Sequence, residues 1–122
     1  MNAHLLARSA YSGLAPVRTD RDAEYEILAR ITRRLVSADR GGDHPALVRA
    51  LHDNRALWTT FATDVAIETN GLPPDLRARL FYLAEFTLHH THRVLSGDAK
   101  VAPLVDVNTA VMRGLQSGEA TA

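Results

Sequence analysis

The chain has 122 residues, 46% hydrophobic and 23% charged, which is the size and make-up of a single soluble globular domain. Lys and Arg together number 14, equal to Asp and Glu, so no net field draws the protein to nucleic acid or anionic lipid, and only a local patch can do so. The absence of cysteine excludes disulfides, thiolate metal sites and cysteine nucleophiles, and fits a reducing compartment.

Helical signals run from end to end. The opening MNAHLLARSAYSG is too short and too polar for a secretory apolar core, and no apolar run approaches membrane-spanning length, so a cytoplasmic protein is expected. Asn2 caps a predicted short helix over Ala3 to Tyr11, closed by Gly13, and Pro16 marks a linker. Thr19 and Asp20 offer caps for a helix from about Arg21 to Ala38, which Gly41-Gly42 stops. Asp43-His44-Pro45 opens the next, predicted to run to about Thr69 before Asn70-Gly71. Pro73-Pro74 with Asp75 introduces a helix over Leu76 to Leu95, ended by Ser96-Gly97. A last helix spans about Pro103 to Gln116, followed by a loose tail from about residue 117. No alternating strand pattern, repeat or low-complexity tract interrupts this series. The expected fold is an all-α compact bundle of four main helices plus a short N-terminal helix, in one domain over 1–122.

Helical periodicity assigns faces. On the helix after Asp20, Ile27, Leu28, Ile31 and Leu35 face inward with Tyr25 at the margin. Arg30, Arg33, Arg34 and Arg40 form a basic ridge, open to two readings: a solvated face, or contact with RNA phosphates. No aromatic residue interleaves with these arginines to stack bases, which favours the solvated face.

The stretch LHDNRALW carries the only tryptophan. Leu47, Ala50, Leu51, Leu57, Trp58, Phe61, Ala62 and Val65 form one apolar stripe, and Asn54 falls within it. Asp53 and Arg55 flank that stripe on opposite edges and His52 points away, so these polar residues do not converge on one point. The last helix repeats the pattern: Asn108 sits among Leu104, Val107, Val111, Met112 and Leu115, with Gly114 at the edge as a place for close helix approach. Asn54, Trp58 and Asn108 therefore read as a structural motif, the two amides bonding each other or a free helix-end carbonyl.

In the Leu76 to Leu95 helix, Leu76, Leu80, Leu83 and Val94 form the main apolar stripe, and Phe81, Leu88 and Leu95 form a second beside it. A helix apolar over so wide an arc is either central or covered by a partner protein. Glu85, His89 and His92 lie at i, i+4 and i+7 on an outward face, a spacing that suits a metal site but reads more simply as a polar face. His90 faces the apolar side as a hydrogen-bonded core histidine. No glycine-rich phosphate loop, nucleophile elbow or carboxylate pair with a converging histidine occurs, so no enzyme activity and no cofactor is expected.

Three segments in order, ALHDNRALW (Ala50 to Trp58), LPPDLRARLFYLAEFTLHHTHRVL (Leu72 to Leu95) and LVDVNTAVMRGL (Leu104 to Leu115), resemble the flagellar biosynthesis regulator FlaF family of alphaproteobacteria. The opening ARSAYSGL and the following TDRDAEYEILARITRRL are similar to the N-terminal half of that family, so the likeness spans about Ala3 to Leu115. The resemblance implies a small helical cytoplasmic protein that binds flagellin as a secretion chaperone, acts with the post-transcriptional regulator FlbT, and couples flagellin synthesis to assembly. It brings no catalytic residues with it. The alternative function is RNA-binding control of flagellin transcripts through the basic helix face.

Overall fold

The computed structural model describes residues 20–66 and 71–117. The expected N-terminal helix over Ala3 to Tyr11 lies outside them, as do the residues beyond 117. The described residues form four α-helices and no strands: α1 (Asp20–Gly41), α2 (His44–Val65), α3 (Pro74–Leu95) and α4 (Ala102–Ser117). The continuation of α2 expected toward Thr69 falls on residues 67–70, outside the described set, and α2 closes at Val65 with Ala66 as its C-cap. None of the described helices is long and apolar enough to cross a membrane.

The α1–α2 corner shows how local chemistry sets the fold. Gly42 adopts φ 65°, a left-handed conformation that costs a residue with a Cβ more than it costs glycine. The Gly42 N–H then donates to Asp39 O and the Asp43 N–H to Ala38 O, which satisfies the last carbonyls of α1 in a Schellman arrangement. Asp43 at once caps α2, its carboxylate accepting from Ala46 N at 3.1 Å, with Pro45 in the first turn. Two residues thus reverse the chain. The same device ends α3, where Gly97 (φ 82°) donates to Val94 O and Asp98 N to Arg93 O. Short connections make successive helices antiparallel neighbours.

In the resulting bundle α1 packs on both α2 and α4, while α3 packs mainly on α2 and more sparsely on α4. The core is built from Leu28, Ile31 and Leu35 of α1, Ala50, Leu51, Leu57, Trp58 and Phe61 of α2, Ala84 of α3, and Val101 and Leu104 at the start of α4. Trp58 is fully buried and meets Phe61 edge to face, ring centroids 5.3 Å apart. Leu83 and Val111 pack against this cluster from its margin. The expected close approach at Gly114 is not found among the described residues, where a Cβ built there meets nothing within 4 Å. That edge of α4 faces no neighbouring helix among the described residues, so the missing side chain makes no room for one.

Candidate partner-binding surface

The residues that looked most like a site in the sequence form a polar lock inside the bundle. Asn108 is its hub. Its side-chain oxygen accepts from Trp58 Nε1 at 2.8 Å, and its amide nitrogen donates to Asn54 Oδ1 at 2.9 Å and to Thr32 Oγ1 at 3.1 Å. Asn54, Trp58 and Asn108 are fully buried and Thr32 nearly so. This ties α1, α2 and α4 together at one level, with the three hydrogen bonds of a buried amide largely satisfied. Among the described residues, Asn54 Nδ2 has no hydrogen-bond partner, nor does the buried Thr87 hydroxyl on α3. The lock's hydrogen bonds join side chains of three helices, so it holds those helices in register. Reading Asn108 as the hub was beyond the sequence, because Trp58 and Asn108 are joined only by folding.

The four arginines separate. Arg34 reaches across to α2 and pairs with Asp53 at 2.7 Å, both side chains partly exposed. Arg30 projects into solvent. Arg33 and Arg40 edge an open groove with Thr32, Val36 and Ser37, which continues past Val101, Ala102 and Val105. Asp39 and Asp106 line that continuation, so carboxylates oppose phosphate there.

His90 is buried and its ring Nε2 lies 2.7 Å from Lys100 O; because a carbonyl only accepts, the Nε2–H donates, tying α3 to the loop before α4. Phe86 stacks on its ring. Glu85, His89 and His92 are all exposed on α3. Among the described residues, no three His, Cys, Asp or Glu side chains are placed to hold a metal ion.

The most informative helix is α3. Its buried positions are Ala84, Thr87, His90 and Thr91, small or polar side chains, while Leu83 and Val94 pack partly buried against the core and Phe81, Tyr82 and Leu95 are exposed. Phe81 is 40% exposed, Leu95 43% and Tyr82 61%, with Leu88 half-buried between them. Phe81, Leu88 and Leu95 fall seven residues apart, hence on one side of the helix. Helix α3 is thus not the centre of the bundle. Its second apolar stripe lies along the outside, with Phe81 and Leu95 exposed and Leu88 half-buried.

A family model described as flagellar protein FlaF matches residues 7–115. No curated protein and no solved structure matches the chain.

Proposed function

This chain belongs to the flagellar protein FlaF family, and from that premise we propose that it binds flagellin as a secretion chaperone and couples flagellin synthesis to flagellum assembly. It works in the cytoplasm, as a binding module without catalysis, metal or cofactor, alongside the regulator FlbT. One observation carries the reading: a bundle that spends small side chains on its own interior at α3 and leaves Phe81, Leu88 and Leu95 at the surface. Exposed aromatic and aliphatic side chains in a row cost solubility unless a partner covers them. An amphipathic segment of flagellin suits such a stripe.

The test is co-purification of flagellin with the untagged protein. Phe81→Asp and Leu88→Asp should abolish capture while the helical circular dichroism persists. Undiminished capture by these folded variants would rule out the stripe as the flagellin contact. RNA binding through Arg30, Arg33 and Arg40 is the lesser reading, because Arg34 is engaged by Asp53 and carboxylates border the Arg40 groove. A salt titration with the flagellin leader RNA separates the two, since phosphate contacts weaken steeply with ionic strength.

A further inference from the structure

The α3 stripe does not stand alone. Helix α2 presents Asp53 toward α1, where it meets Arg34. At about 100° per residue, Val48, Arg55 and Thr59 then lie on the opposite edge of α2, the one that borders α3. Helices α2 and α3 are antiparallel, so Val48, one turn into α2, lies toward the Leu95 end of α3, and Arg55 lies near mid-length. Val48 is 37% exposed and Arg55 is exposed. The two helices therefore share an open seam in which Val48, Phe81, Leu88 and Leu95 supply apolar contact.

Charge around this seam is uneven. The carboxylates of α2 are Asp53 and Asp64, eleven residues apart and thus on the same edge, facing away from α3. The edge of α2 toward α3 carries His44, His52 and Arg55, all exposed, and no carboxylate, while Arg49 lies one turn before Asp53 on the other edge. On α3, His92 borders the stripe alongside Glu85. Arg55, unlike Arg34, is engaged in no ion pair among the described residues.

We infer that the α2–α3 seam receives one amphipathic helix whose apolar stripe is flanked by acidic residues, with Arg55 as its charge-reading contact. This rests on the reading of α3 as the partner-binding helix and adds the second wall and the chemistry of the occupant. From Phe81 to Leu95 the seam runs about 21 Å, which is roughly four turns of a bound helix. Apolar residues at a seven-residue spacing on the partner match the same spacing on α3. Acidic flanks steer that helix to the seam and set its register against Arg55.

Two synthetic helical peptides test this on the full chain. They share the same apolar stripe, and differ in carrying glutamates or lysines at the flanking positions. Fluorescence anisotropy at low salt should show the glutamate peptide binding about tenfold or more tighter, with the difference shrinking as salt rises. Leu88→Asp should remove binding, and Arg55→Glu should erase or reverse the preference. Leu95→Asp serves in place of Leu88→Asp if that variant loses its helical circular dichroism. Equal affinities, a tighter lysine peptide, no binding of either, or a preference untouched by Arg55→Glu would each overturn the inference. Flagellin capture, run in parallel, keeps the two proposals apart. Peptide preference without flagellin capture removes flagellin as the occupant and leaves the seam. Flagellin capture indifferent to Arg55→Glu and Leu95→Asp leaves the chaperone role and removes the seam.

Discussion

The indole N–H of Trp58 donates to the side-chain oxygen of Asn108 at 2.8 Å, a bond between residues 50 apart in sequence and both buried. It turns a single asparagine on α4 into the meeting point of three helices. Because Asn108 uses its oxygen and both amide hydrogens, its loss leaves Trp58 Nε1 and the Asn54 oxygen buried without it. Asn108→Ala should therefore cost about 3 kcal/mol or more, at about 1–3 kcal/mol for each stranded group. Asn54→Ala should cost less, about 1–2 kcal/mol, because the Asn54 amide nitrogen already lacks a partner. Urea melts of the two variants check the order. Equal midpoints would show that Asn108 is not the hub.

Thr87 offers the opposite case. Its side chain is fully buried and its hydroxyl has no partner among the described residues, while its carbonyl accepts from Thr91 Oγ1 at 2.6 Å. Replacing that hydroxyl with a methyl of the same shape removes a desolvated polar atom and leaves the backbone bond in place. Thr87→Val should be neutral or stabilise by about 1 kcal/mol, despite lying in the core. A loss of more than about 1 kcal/mol in the same melts would mean that the hydroxyl is satisfied in solution.

Two glycines should respond with opposite signs. Gly42 holds a left-handed conformation at the end of α1, so Gly42→Ala should destabilise by about 1–2 kcal/mol. Gly114 is inside α4 with open space where a Cβ would go, so Gly114→Ala should stabilise by about 0.5–1 kcal/mol. Thermal melts of the pair read the contrast directly. Destabilisation by Gly114→Ala would place an element against that edge of α4.

The Arg34–Asp53 pair joins α1 to α2 at 2.7 Å, but both side chains are 42% exposed. Water and salt screen such a pair, so Arg34→Gln should cost at most about 1 kcal/mol, with Arg33→Gln adding little. The loss should diminish in high salt. A penalty of several kcal/mol would show that the arginine face is covered by another element.

The sequence alone determined the helices, their corners and the polarity of each face. Those features are local: a glycine three or four residues after the last inward-facing apolar position, an aspartate two residues before a proline, and apolar side chains recurring every three or four residues act within one or two turns. Hence α1 to α4 were legible within a few residues of their ends, and Asn54 and Asn108 could be placed on apolar faces before any helix was packed. Only the tertiary structure decided which helix lies beside which. Periodicity tells how a helix is amphipathic, not how it is rotated against its neighbours. Asn108 bridges Trp58, Asn54 and Thr32 because α4 settles against α1 with that side chain turned into the bundle. Arg34 leaves the basic ridge because antiparallel α2 brings Asp53 to its level. In the sequence, Leu76, Leu80, Leu83 and Val94 of α3 read as the main apolar stripe, and Phe81, Leu88 and Leu95 as a second that either a central position or a partner would cover. Burial of Ala84, Thr87 and Thr91 in the bundle is what leaves Phe81 and Leu95 outward, since small side chains let helices approach and the large ones must then stand beside the contact.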